Sequence, residues 1–420
     1  MNKMCLSTLV IIAVAASSVL ADDAFAQDNM AGAVRGTESA QQKNVHRDTA
    51  VLRAFMQNAP DYFNAPDMPR FAIIGEERRF YLGIGGYVKA SLSYDFTNPI
   101  ANPLNFTTSS IPMDNMPGNG ALVQMNAGAS SLFFNFIALP HTKNQIGTYI
   151  NFDFSGNNAN YGFCLKSAYL TYKGFTFGFK PSLFTDGAAC APTIDQQGPS
   201  AMTFVFNTVL NYQYAFNNHW KVGIGIEMPD VNQRIPDIPF YGQFSYKDGQ
   251  AWIRLSGLIR NMYYRNTLDG STDDVFGYGI KLSGVSKIGR KVKLYYQTVY
   301  GKGLGSYVQD LHGLGLDMVP KAELDGVMES VEVLGSYTGV MWQISPKFFT
   351  STTFSEVECF LPDDIQSSTY KKAKYLVANL FYNITPSVQA GMEYLWGSRE
   401  NMDGTTRHNN RLQTAVRVNF

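Results

Sequence analysis

From Phe80 onward the chain alternates between apolar and polar positions. Across residues 80–96 nearly every even position is apolar, from Phe80, Leu82 and Ile84 to Leu92, Tyr94 and Phe96, while Lys89, Ser91, Ser93 and Asp95 stand opposite. A helix returns to one face every 3.6 residues, so a sustained period of two predicts a strand. The pattern recurs. Phe175, Phe177 and Phe179 oppose Thr176 and Lys180, and Trp220, Val222, Ile224 and Ile226 oppose Lys221 and Glu227. Ile253, Leu255 and Ile259 oppose Arg254, Ser256 and Arg260, and Val292, Leu294 and Tyr296 oppose Lys293 and Gln297. Met392, Tyr394 and Trp396 oppose Gln389 and Glu393, and Leu412, Thr414, Val416, Val418 and Phe420 oppose Arg411 and Arg417. With less regular stretches near 121–137, 161–173, 203–217, 239–247, 275–286, 328–342, 347–357 and 371–384, about sixteen strands are predicted.

The connections alternate too. Residues 217–219, 288–290 and 383–386 read as tight turns, whereas 98–120, 186–202, 301–327 and 361–371 are long. Short turns on one side and long loops on the other, joining two-faced strands, predict an all-β fold: a transmembrane antiparallel β-barrel over 79–420 with no internal domain boundary.

The N-terminus predicts export. Lys3 precedes the apolar run 9–16, and Ala24-Phe25-Ala26 has the small-x-small pattern of a cleavage site, so 1–26 reads as a signal peptide and Gln27 as the first mature residue. Cys5 lies ahead of the apolar run, which argues against a lipid-modified cysteine. Residues 27–78 form a periplasmic extension or plug-like segment. In it Asp48 or Thr49 could cap a short helix bearing Val51, Leu52 and Phe55 and ending before Pro60. A solvated tail is an equal alternative.

Composition suits this assignment: aromatics are 14% of the chain, with 24 Tyr and 29 Phe, and charged residues only 16%. Basic and acidic residues number 34 each, and losing Lys3, Asp22 and Asp23 with the leader leaves 33 against 32, so net charge indicates no partner and gives no sign of nucleic-acid binding. Cys164, Cys190 and Cys359 remain after the leader is removed, an odd number that allows one pair at most. The five histidines are scattered without metal-ligand spacing, and Gly83-Ile84-Gly85-Gly86 lies in a strand with no following helix, so no metal, phosphate loop or cofactor is expected.

Residues 85–96, with Phe184-Thr185-Asp186 leading to Asp195-Gln196-Gln197-Gly198-Pro199 and the closing stretches 391–401 and 410–413, resemble the DcaP-like porins over most of 80–420. The resemblance implies a homotrimeric sixteen-stranded channel in the bacterial outer membrane that passes small anionic solutes such as dicarboxylates. Two stretches depart from that family: Ser130-Ser131-Leu132 lacks an Arg after the serine, and Lys180-Pro181-Ser182 replaces a Gln-Thr-Trp type of sequence.

A porin needs no catalytic group. An inward-folded loop narrows its lumen, and charges on the narrowed wall select solutes. Lys180, Arg254, Arg260, Lys293, Arg411 and Arg417 are the expected basic side of the constriction, faced by Asp186, Asp195 and Gln197. Lys89 and Lys281 are further inward candidates, with Asp95, Asp153, Glu227, Glu332 and Glu393 as acidic ones. The plainer account of each basic residue is a cross-strand ion pair or a solvated wall. Two alternatives are a barrel enzyme of the phospholipase type, with Ser283 or Ser351 as its serine, and a loop-based adhesin.

Overall fold

The structure is a computed structural model, and it describes residues 41–420 apart from 67, 76–77, 115–119, 157–160, 230–232, 267, 322–323 and 325. The expected leader therefore lies outside the described residues. Helix α1 is Gln41–Asn58 and strand β1 is Phe71–Ile74. The following strands are β2 (Phe80–Asp95), β3 (Leu122–Asn126), β4 (Ser131–Ala138), β5 (Ile146–Asp153), β6 (Cys164–Tyr172) and β7 (Phe175–Pro181). Next are β8 (Phe206–Ala215), β9 (Trp220–Met228), β10 (Ile238–Tyr246), β11 (Ala251–Arg265), β12 (Thr272–Ile288) and β13 (Val292–Lys302). A small ribbon, β14 (Met318–Pro320) with β15 (Met328–Ser330), precedes β16 (Glu332–Gln343), β17 (Phe348–Phe360), β18 (Tyr370–Thr385), β19 (Val388–Asn401) and β20 (Thr406–Asn419).

All but the ribbon belong to one 18-stranded antiparallel sheet. β3 and β4 are two halves of one span, both paired with β2, and β1 is a short addition. The barrel therefore has sixteen spans. It closes where β20 pairs with β2 from Tyr87↔Asn419 to Asp95↔Arg411. Phe420 completes the seam by exchanging backbone hydrogen bonds with Gly86, which leaves no free edge in the membrane.

The predicted alternation is realised. Phe177, Leu255, Ile280 and Met392 are each more than half exposed on the outer face, a burden that only a lipid surround relieves. Aromatic rings gather at the periplasmic ends, as in the Trp220–Phe244 and Phe348–Tyr382 pairs, where an amphipathic ring suits the interface. This is a membrane-spanning barrel. Glu332 departs from its expected inward place: it faces outward beside Lys302 and accepts from the Tyr300 hydroxyl at 3.0 Å. Its neighbour Val333 takes the buried inward position, because the register of β16 on β13 starts at Lys302↔Glu332.

The segment ahead of the barrel enters it. Val51, Ala54 and Phe55 of α1 pack on Tyr81 and Ile137 of the inner wall, each larger apolar side chain contributing about 1.5–3 kcal/mol. The helix stops before Pro60, as predicted, and its described part already begins at Gln41, ahead of the expected caps Asp48 and Thr49. Asn58 seals its end to the wall. Its amide donates to Asn135 Oδ1 and Thr148 O, and Tyr169 and Thr171 donate back to its two oxygens at 2.7 Å. Gly147 makes room for this, since a Cβ there would sit 2.2 Å from Asn58 Oδ1. After residues 59–66 the chain returns to the wall and forms β1, which pairs with the periplasmic end of β2 just below Phe420.

Candidate functional site

The loop between β7 and β8, residues 182–205, folds inward and runs along the inner wall. Ser182 donates to Glu227 at 2.6 Å. Asp186 accepts from Ser283 at 2.6 Å and Trp252 at 3.1 Å, with Arg254 Nη1 at 3.7 Å. Lys281 donates to Phe184 O and Thr203 Oγ1. Farther round, Tyr337 donates to Ala189 O, Ser351 and Asn379 to Pro192 O, and Lys89 to Ile194 O. Glu393 accepts the amides of Ile194 and Asp195 at 2.8 and 2.9 Å. Wall side chains thus satisfy a buried loop backbone whose own regular structure is one short 3-10 turn at Gly187–Ala189.

Two further loops pack above it. The loop between β2 and β3 buries Ile100, Phe106 and Ile111, and the loop after β13 buries Leu304, Tyr307 and Leu311. The tip of the N-terminal segment meets the constriction loop from below: Phe63 N donates to Gly187 O at 3.0 Å, and Asn64 Nδ2 to Asp195 O at 3.3 Å.

The lumen is thereby divided. An extracellular-side chamber of about 430 Å³ is bordered by Tyr62, Phe63, Asp153, Lys166 and Gln197. A periplasmic-side chamber of about 280 Å³ is bordered by Asp61, Lys180, Asp186, Lys221, Trp252 and Arg254. Loop and segment together form the partition.

The expected site residues fall into three groups. Lys180, Arg254 and Asp186 share the periplasmic chamber. Arg254 lies over the Tyr241 ring at 3.9 Å and donates to Gln243 and Thr185 O, while Lys180 lies over Tyr169. Arg260 and Arg411 are fully buried in closed ion pairs: Arg260 with Asp237 and Asp317 at 2.9 and 2.5 Å, and Arg411 with Asp95 through two bonds of 2.9 Å. Asp195 is also buried, accepting from the amides of Phe106, Gln197 and Gly198 and from the Tyr375 hydroxyl. Gln197 borders the extracellular-side chamber. Lys293 is half-buried near the periplasmic turn and lines neither chamber, while Arg417 stacks on Tyr87 at 3.9 Å beside a rim cavity.

Lys221 and Asp61 complete the periplasmic chamber and were not among the expected site residues. The inward position of Lys221 is legible from its alternation with Val222, but nothing in the local pattern signals Asp61. Burial alone would raise the Asp186 carboxyl, but the charges of Arg254 and Lys281 and bonds from Ser283 and Trp252 outweigh it and hold the carboxyl below the usual range. Depth inside the barrel, then the charge of Asp186, raise the Asp61 carboxyl against the opposing charges of Arg254 and Lys221. Burial also raises Asp195 despite its four donors.

Ser283 and Ser351 anchor the constriction loop, through Asp186 and Pro192 O respectively. Cys164, Cys190 and Cys359 are free thiols. Among the described residues no group of three His, Cys, Asp or Glu side chains could hold a metal.

No family model matches the sequence, and no curated protein matches it. Solved structures do match. The outer membrane channel DcaP of Acinetobacter baumannii superposes with a TM-score of 0.71 at 18% identity, covering 83% of this chain and 99% of that one. An anion-selective porin from Comamonas acidovorans gives 0.52 at 11% identity, covering 81% and 100%. Salmonella typhi OmpF gives 0.54 at 8% identity, covering 83% and 100%. In fold, this chain is a sixteen-span antiparallel β-barrel similar to that of the DcaP channel.

Proposed function

We propose that the protein is a porin for passive diffusion of small hydrophilic solutes, favouring small anions such as dicarboxylates, with the N-terminal segment acting as a plug. The observation that carries this is the periplasmic chamber, where Lys180, Lys221 and Arg254 outnumber Asp61 and Asp186. Inside a low-dielectric wall such an excess focuses a field that attracts anions, and Arg grips carboxylates in two-pronged fashion. The test is the reversal potential of purified protein in a planar bilayer under a KCl gradient, repeated with succinate as a competing anion. Anion selectivity with succinate block supports the proposal. Cation selectivity without block keeps a pore but removes the anion site, and absence of conductance removes the porin.

We also propose a homotrimer with a cleaved leader. A Vibrio cholerae OmpT structure described as a trimer form, with a TM-score of 0.53, supports the first, and the small-x-small pattern at Ala24-Phe25-Ala26 supports the second. Chemical cross-linking of the purified protein would count the subunits, and N-terminal sequencing should begin at Gln27.

A further inference from the structure

The charged groups of the periplasmic chamber are not equally committed. Arg254 and Asp186 hold one another and are each tied to further partners. Lys180 lies over the face of Tyr169 at 5.0 Å, and among the described residues neither Lys180 nor Lys221 has an ion pair. Asp61 has no hydrogen bond or ion pair among the described residues, and its side chain is exposed to the chamber. Two unmatched ammonium groups and one unmatched carboxylate therefore share a cavity of about 280 Å³.

The position of Asp61 is set without its carboxylate. On one side Asn58 is clamped to Asn135, Tyr169 and Thr171, and on the other the Phe63 amide is bonded to Gly187 O. Two residues separate Asp61 from the Asn58 clamp and one from the Phe63 clamp, so the backbone presents this side chain to the chamber whatever its charge. A carboxylate entering by diffusion would meet the same cations at the same place, and two anions so close repel strongly in a poorly screened cavity.

Resting on the anion-favouring function above, we propose that Asp61 is a tethered competitor for the chamber's anion site. Its carboxylate holds the counter-ion place beside Lys221 and Arg254 that a diffusing carboxylate takes, and so sets the affinity of the pore for small dicarboxylates. The closing experiment records full-length wild type, D61N, K221Q and D61N/K221Q in planar bilayers, measuring the succinate concentration for half-block and the KCl-gradient reversal potential. D61N should lower the half-blocking concentration about tenfold and move the reversal potential toward anions, and K221Q should shrink that gain. A D61N protein with wild-type block and selectivity overturns the competitor, as does a gain that K221Q leaves unchanged. If wild type and D61N both conduct without succinate block, it is the anion site itself that fails.

Discussion

The amide of Phe63 donates to the carbonyl oxygen of Gly187 across 3.0 Å, joining the N-terminal segment to the constriction loop at the middle of the lumen. Neither partner lies in a membrane strand, yet their contact separates the two chambers. Removing one side of it should widen the path. Deleting residues 27–66 is expected to raise single-channel conductance about twofold or more; an unchanged conductance would place the segment outside the solute path.

Lys221 and Lys293 both face inward on the periplasmic half, but only Lys221 borders the basic chamber. K221Q should move the KCl-gradient reversal potential toward cations, and K293Q should move it much less. Equal shifts would mean that selectivity is set at the periplasmic mouth rather than in the chamber.

Arg411 and Asp95 neutralise one another in a fully buried two-bond pair. R411A leaves Asp95 charged and unpaired, with an expected cost of about 3–5 kcal/mol. This should appear as a lowered midpoint of heat unfolding in detergent, with ion selectivity close to wild type in the protein that folds.

Glu393 accepts from the amides of Ile194 and Asp195 and from the side chains of Asn379 and Gln413. E393A strands these buried donors and should destabilise by about 3 kcal/mol or more. Because two of them belong to the constriction loop, noisier open-channel current should accompany the lower unfolding midpoint.

The two chamber carboxyls respond oppositely to acid. Asp61 is raised, so it loses its charge at a higher pH than an ordinary aspartate, whereas Asp186 is lowered and keeps its charge below that value. As pH falls toward the ordinary aspartate value near 3.9, Asp61 should lose its charge before Asp186 does, and the chamber should become more positive. Anion selectivity should rise with acid in wild type, and rise less in D61N. The stability contribution of Asp186 is present above its unfolded value and is lost only as pH falls through its lower folded one.

The basic residues show how far a linear pattern reaches. Alternation placed Arg254, Arg260 and Arg411 on the inner face, and all three are there. It could not separate the arginine beside a chamber from the two sealed in the wall, because the distinction lies in distant partners: Asp95 is 316 positions from Arg411, and Asp317 reaches Arg260 from a loop. Asp61 was invisible for the same reason, since its surroundings exist only once the segment enters the barrel.

By itself the sequence determined the strands, their inward and outward faces, and the alternation of short turns with long loops. Each of these follows from a period of two read against lipid on one side and a polar interior on the other. Only the tertiary structure decided what fills the lumen. The constriction loop and the N-terminal segment carry no period, and their paths are fixed by hydrogen bonds to wall residues such as Glu393 and Asn135. β1 was likewise hidden in a run of four residues, too short to signal a strand until the end of β20 left an open place beside β2.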